Sequence, residues 1–171
     1  ELKTQKINSK LATGFEISQL LWAARGRTPH LYKSREWGMT IPTWAGEQHI
    51  TEIYVVIKQN IYRYINWHKN RPSQRLEFVK EINGPLYRDI YSQLPSGNCF
   101  IFLKRNELQA KSSWEIGYQL LNMILQAQVL DISYEAILLN QAQMNMIQKT
   151  GLSNIASIMA LYFSPDSQVI A

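Results

Sequence analysis

Apolar side chains follow two rhythms along this chain. In EISQLLWAARG, Ile17, Leu20, Leu21 and Ala24 recur at helical spacing and Gly26 follows as the expected stop, which predicts an amphipathic helix. TEIYVVIK and NIYRYINW are rich in β-branched and aromatic residues and are parted by Gln59-Asn60, predicting a hairpin; RLEFVKEI alternates with period two, as a third strand does. PLYRDIYSQL opens with Pro85, suited to the first turn of a helix, and NCFIFLKR has the continuous apolar pattern of a central strand buried on both faces. A long helix is predicted over SSWEIGYQLLNMILQAQVLDI, with a Ser N-cap before Trp114. NQAQMNMIQKTGLS reads as a further helix ending at Gly151, and IASIMALYFSP as a last strand stopped by Pro165.

Two segments break these rhythms. From Arg27 to His49 no period is sustained, and Pro29, Gly38, Pro42 and Gly46 punctuate what reads as a long loop. Loops of that length inside compact domains are usually functional or disordered. Trp22, Trp37 and Trp44 lie in or beside it, which favours a buried segment or a ligand wall over disorder. The long helix carries apolar residues on nearly every face, including Ile116, Tyr118, Leu121, Met123, Leu125 and Val129. A helix apolar all round is buried all round. With a sheet to cover one side only, a second subunit is the simplest cover for the other, and an obligate homodimer is expected.

The chain has 171 residues, 46% of them hydrophobic and 18% charged, enough for one globular domain spanning 1–171 with its own core. No apolar run reaches the roughly 18 residues of a membrane span, and the first residues lack the apolar region of a signal peptide; a soluble, cytoplasmic protein without a membrane partner is expected. The single cysteine, Cys99, lies in an apolar run, which excludes an internal disulfide and suits a buried structural thiol. The net charge of +5 is unevenly placed: residues 1–35 hold seven Lys and Arg against Glu1 and Glu16, and acids outnumber bases from Glu107 onward. So short a basic segment suits a phosphate-bearing ligand or is plain solvated surface, whereas nucleic acid calls for a basic stripe interleaved with aromatics. No nucleic-acid partner is therefore expected, although the N-terminal charge and RYINWHKNR keep that rival in view.

Signatures of protein-borne catalysis are missing: there is no GxGxxG, Walker loop, HExxH, CxxC or GxSxG, and His30, His49 and His68 are not at metal-ligand spacing. No side chain is singled out as catalytic and no metal is expected. Redox chemistry, if present, belongs to a cofactor that the protein positions. In order along the chain, ISQLLWAARGRT, TWAGEQHITEIYVV, IYRYI, EIGYQLLNMILQAQVLDIS and TGLSNIASIMALYFSP together resemble the nitroreductase family of FMN oxidoreductases, in particular its compact branch that includes azoline dehydrogenases. The resemblance implies an α+β nitroreductase-like fold: a central, mainly antiparallel sheet flanked by helices, in a dimer.

It also implies where a flavin lies. The polar turn before the strand runs along the flavin in such proteins, which falls here on Thr43, Trp44, Ala45, Gly46, Glu47 and Gln48; Gly46 lets backbone approach the ring and Trp44 walls it. An alternative for that turn is a Trp-anchored loop that only caps the core. The family's phosphate clamp falls on Glu1, Lys3 and Gln5, of which Lys3 alone is cationic; since a bidentate Arg grips phosphate better than Lys, either affinity is reduced or the contact passes to Lys6, Arg25 or Arg27. Arg25 and Arg27 are also the candidates for positive charge beside the reduced flavin. The basic residue expected after the last strand is replaced by Pro165 and Asp166. The implied activity is hydride transfer between NAD(P)H and a small-molecule acceptor at an FMN on the subunit interface. The alternative is a flavin-free homologue that serves as a binding or interaction module.

Overall fold

A computed structural model describes residues 3–6, 10–32, 35–43, 50–69, 71–106 and 111–164. In chain order the elements are β1 (Lys3–Lys6), α1 (Gly14–Arg25), β2 (Arg27–Tyr32), β3 (Arg35–Met39), β4 (Glu52–Ile57), β5 (Asn60–His68), β6 (Arg71–Glu81), α2 (Gly84–Tyr91), β7 (Cys99–Lys104), α3 (Ser112–Val129), β8 (Tyr134–Leu138), α4 (Gln141–Gln148) and β9 (Ile155–Leu161). Seven strands form one sheet in the order β1-β8-β9-β7-β4-β5-β6, with every neighbouring pair antiparallel; β2 and β3 form a separate two-stranded ribbon. This is the α+β architecture expected from the sequence.

The apolar run at Cys99–Lys104 sits mid-sheet because both its faces are covered. Ile101 and Leu103 join Ile53, Val55 and Met159 beneath α1 and α3. Phe100 and Phe102 point the other way, joining Tyr54, Val56 and Ile158 beneath Ile90 and Tyr91 of α2 and Ile147 of α4. Period-two alternation in β4, β7 and β9 thus serves two cores at once. Cys99 is fully buried in the first core and its thiol is pushed up to about 12 by burial, a structural rather than a reactive cysteine.

Local chemistry fixes the boundaries. Thr13 accepts a hydrogen bond from the backbone N–H of Glu16 at 3.3 Å, while Glu16 Oε2 accepts from the N–H of Thr13 at 2.8 Å, a reciprocal box that starts α1. Gly26 ends it as predicted, in extended conformation. The β4–β5 turn is one residue earlier than predicted: Ile57 pairs with Asn60, leaving Lys58 and Gln59 as the turn, with Lys58 at φ 56°. Four further features differ from the sequence reading. Arg27–Tyr32 and Arg35–Met39 form a ribbon where a loop was predicted; their mix of Pro, Gly and polar residues carries no period-two pattern. β8 follows α3 so closely that its apolar residues merged with those of the helix, and polar β1 is a short edge strand. The N-cap of α3 is Lys111, not serine; Ser112 Oγ instead donates to the carbonyl of Asn106 at 3.0 Å.

Helix α3 is also two-sided rather than uniform. Glu115, Ile116, Gln119, Met123 and Ala127 face the core, and on the opposite side Trp114, Tyr118, Leu121, Leu125 and Val129 form an exposed apolar stripe. At the far edge of the sheet, β6 carries Arg71, Pro72, Arg75, Glu77, Lys80 and Glu81. Phe102 is fully buried in the aromatic cluster with Phe100 and Tyr91. Phe102→Ala should cost about 3–5 kcal/mol in urea unfolding, the sum of lost transfer energy and the cavity left behind.

Candidate functional site

Between the end of α1 and the start of β4 lies a buried polar cluster. Glu115, in the first turn of α3, is 2% exposed, and its Oε2 accepts from the backbone N–H of Ile50 at 3.0 Å and from Thr51 Oγ1 at 3.2 Å. Gln119, one turn further along, donates from Nε2 to Thr51 Oγ1 at 2.8 Å. Arg25, at the last position of α1, donates from Nη1 to the Thr51 carbonyl at 2.7 Å, and its own carbonyl accepts from Asn66 Nδ2 at 2.8 Å. A carboxylate near a helix N-terminus is favoured by the helix dipole, and a buried one is tolerated only when hydrogen-bonded.

The segment before β4 is tied down on its other side too. Thr40 Oγ1 accepts from the N–H of Gly26 at 2.9 Å, the N–H of Thr40 donates to the Gly26 carbonyl at 3.2 Å, and Asn122 Nδ2 reaches the carbonyls of Ala23 at 3.2 Å and Thr40 at 3.4 Å. Both approaches to the predicted flavin turn are therefore anchored beside Arg25. Thr43 lies at the near end of that turn, partly buried; Trp44, Ala45, Gly46, Glu47 and Gln48 lie outside the described residues.

Arg25 and Arg27 are brought together on a cavity of about 290 Å³, shared with Glu52, Arg63, Tyr64, Asn66 and Trp67. Burial lowers the Arg25 guanidinium to about 10, against the fields of Glu115 and Glu52, which raise it. Its Nε is buried without a hydrogen-bond partner. The Arg27 guanidinium stands 4.8 Å from the centre of the Trp67 ring, a cation–π arrangement. Glu52 is bound to Lys104 at 2.6 Å; burial pushes its carboxyl up, but that bond and the Lys104 charge bring it below the usual carboxylate range. Tyr64 is held above the usual phenol range by burial. Arg63 is paired with Glu77 at 2.8 Å and Glu52 is engaged by Lys104, so the positive character of the cavity, suited to an anionic or electron-rich group, rests on Arg25 and Arg27.

Lys3 and Gln5 are placed elsewhere. They pair with Ile137 and Glu135 on the edge strand β1, five strand positions from β5. At 4.7–4.9 Å per strand that is about 24 Å, so one protomer does not bring them to Arg25 and Arg27. The sequence reading missed Glu115, Gln119 and Asn122 as parts of the site; their signal was a polar row at i, i+4 and i+7 on an otherwise apolar helix. Among the described residues no cluster of His, Cys, Asp and Glu could hold a metal, and no helix is long and apolar enough to cross a membrane.

No protein-family model matches the chain, and no curated protein does. Solved structures do. A crystal structure of a candidate nitroreductase from Ralstonia eutropha JMP134 superposes with a TM-score of 0.63 at 20% identity, covering 94% of this chain and 79% of the other. The chain has a nitroreductase-like fold. A second neighbour with this nitroreductase-like arrangement is the E. coli microcin synthetase McbBCD complex with truncated pro-MccB17 bound, at a TM-score of 0.62 and 16% identity, covering 97% of this chain and 70% of that one.

Glu115 is the hub of the polar cluster, and its truncation leaves buried donors on Ile50 and Thr51 without an acceptor. Glu115→Ala should cost about 1–3 kcal/mol for each donor so stranded, read as a lower urea midpoint, with Glu115→Gln restoring part of the loss.

Proposed function

We propose that the chain is an FMN-dependent oxidoreductase that moves a hydride between NAD(P)H and a small-molecule acceptor, working as a homodimer with the flavin at the subunit interface. The observation that carries this reading is the arginine-lined cavity at the end of α1, set in a nitroreductase-like fold, with the buried and unpartnered Nε of Arg25 at its edge. These residues fit one end of a flavin: its electron-rich pyrimidine edge or its phosphate finds the guanidinium groups of Arg25 and Arg27 there. At about 290 Å³ the cavity sits at the lower limit of small-molecule sites, roughly 300–1,000 Å³, and takes part of the cofactor only.

When bound, FMN supplies the hydride chemistry. The chain's own part is to bind, orient and supply charge. Arg25, held by Thr51 and Asn66, is the fixed cation; Arg27, half-buried, is laid over Trp67. Thr43, Trp44, Ala45, Gly46, Glu47 and Gln48 are the residues we assign to the flavin ring, Gly46 because it has no side chain to hold the ring away. Lys3 and Gln5 belong to the opposite edge of the sheet, so a site using both sets is composed from two copies of the chain. The apolar stripe of Trp114, Tyr118, Leu121, Leu125 and Val129 is the face on which those copies meet.

One observation favours the competing reading, a flavin-free homologue that acts as a binding module: Lys3 is the only cation at the positions of the phosphate clamp. A single experiment separates the two. Purified protein, or protein incubated with FMN, should show a protein-bound flavin spectrum and elute at twice the monomer mass. Arg27→Ala should weaken FMN about tenfold, roughly 1.4 kcal/mol, and Leu125→Asp should yield monomers with little bound flavin. A colourless protein that takes up no FMN overturns the enzyme reading and leaves the flavin-free module in its place as the hypothesis to pursue.

A further inference from the structure

A second, larger cavity lies on the same face of the sheet as α1 but toward the start of that helix. Its volume is about 480 Å³, within the roughly 300–1,000 Å³ range of small-molecule sites. It forms because the sheet outruns its helical cover: α3 packs over β7, β8 and β9 and α1 against β5, while β6 continues beyond them at the edge.

The walls are apolar and partly aromatic. Ile17 and Leu21 of α1, Ile57 of β4 and Leu76 of β6 supply aliphatic surface, and Tyr62 and Tyr64 supply two rings from alternate positions of β5. Such a lining suits a flat apolar body, because rings pack edge-to-face or offset against tyrosine and gain beyond their buried area. Tyr62 meets Phe78 edge-on at a centroid separation of 5.9 Å, and Phe78 is itself exposed, so the aromatic floor continues outward along the sheet.

Among the described residues no ionised side chain faces into this space. Tyr64 pairs with Leu76 and Ile65 with Arg75 across β5 and β6, and successive residues of a strand alternate between its faces. Leu76 therefore points toward α1 and Arg75 away from it, to the side where Arg63 and Glu77 pair at 2.8 Å and Arg75 stands 3.9 Å from Glu77. Burial holds the Tyr64 phenol above its usual range, so that ring is neutral too. What remains for polar recognition is a neutral rim, where Ser18 Oγ donates to Gln74 Oε1 at 3.3 Å across the gap between α1 and β6. An ion entering here would lose its hydration and gain no counter-charge. We infer that the cavity binds an uncharged, flat aromatic compound of a few rings, seated between α1 and the Tyr62 and Tyr64 rings with a hydrogen-bonding substituent at the Ser18 and Gln74 rim. The inference does not rest on the flavin reading, because it uses neither Arg25 nor Arg27 nor the turn at Thr43.

The test is a matched pair of fluorescent probes titrated into the full chain: N-phenyl-1-naphthylamine, which is neutral, and 8-anilinonaphthalene-1-sulfonate, the same aromatic body with a sulfonate added. One saturable site is expected for the neutral probe, with the sulfonate at least about tenfold weaker. Ser18→Trp, which fills the rim from a half-buried helix position, and Tyr62→Ala, which removes one ring, should each weaken the neutral probe at least about tenfold. Ser18→Lys, which gives the rim the cation it lacks, should strengthen the sulfonate at least about threefold, a response that a general preference for the more apolar probe would not produce. Leu125→Asp, on the exposed stripe of α3, should leave the neutral probe within about twofold, and saturating FMN should not displace it. Absence of saturable binding, a sulfonate as tight as the neutral probe, indifference to any folded rim or ring variant, loss of binding in Leu125→Asp, or displacement by FMN would each overturn the proposal. Should Ser18→Trp fail to fold by circular dichroism, Tyr62→Ala and Ser18→Lys decide the matter.

Discussion

The carboxylate of Glu115 is the contact on which the rest of the arrangement depends. It draws two donors, from Ile50 and Thr51, onto the first turn of α3, and Thr51 in turn holds Arg25 through its carbonyl and Gln119 through its hydroxyl. Three parts of the chain that are far apart in sequence are thereby fixed to one another in a dry environment. Burying a carboxylate without partners is prohibitively costly, so the three must arrive together or not at all. The cost of desolvating Glu115 is thus converted into register: β4 has one starting point, and Arg25 one orientation.

That fixed geometry explains why the two cavities beside α1 differ in character though Tyr64 lines both. Near the C-terminal end of α1, the polar cluster fixes Arg25 through Thr51, and with Arg27 it gives the cavity a charged wall. Near the start of the helix the sheet is simply uncovered, and the walls are the aliphatic and aromatic side chains that a longer helical layer would have buried. The first cavity is a product of electrostatic constraint, the second of incomplete coverage.

Much of this fold was legible in the sequence where one period ran without interruption. α1, the β4–β5–β6 meander, the two-sided β7 and the closing β9 all carried clean apolar rhythms with Gly, Pro or polar boundaries. The ribbon of β2 and β3 was not legible, because its sequence alternates nothing and its Pro29 and Gly38 read as loop punctuation. β8 was hidden by continuity: apolar residues run on from α3 across Ile132, and only pairing with β9 distinguishes strand from helix there. As for the site, Arg25 and Arg27 were named through the family resemblance, as cations that could stand in for the missing clamp, but Glu52, Arg63 and Trp67 join them only through the register of β4 and β5. The polar row of Glu115, Gln119 and Asn122 was visible as spacing; what it holds was not, since its partners lie in loops and at the end of another helix.

The far edge of the sheet limits what this molecule can build with copies of itself. β6 offers a row of backbone donors and acceptors, yet Pro72 removes one donor, and the strand bears five charged side chains: Arg71, Arg75, Glu77, Lys80 and Glu81. An approaching identical strand would meet a proline gap and a row of charged side chains that pairing would have to desolvate, so ribbon-wise growth from that border into open-ended fibres is disfavoured. At this border, contact through side chains is thereby favoured over extension of the sheet through its backbone.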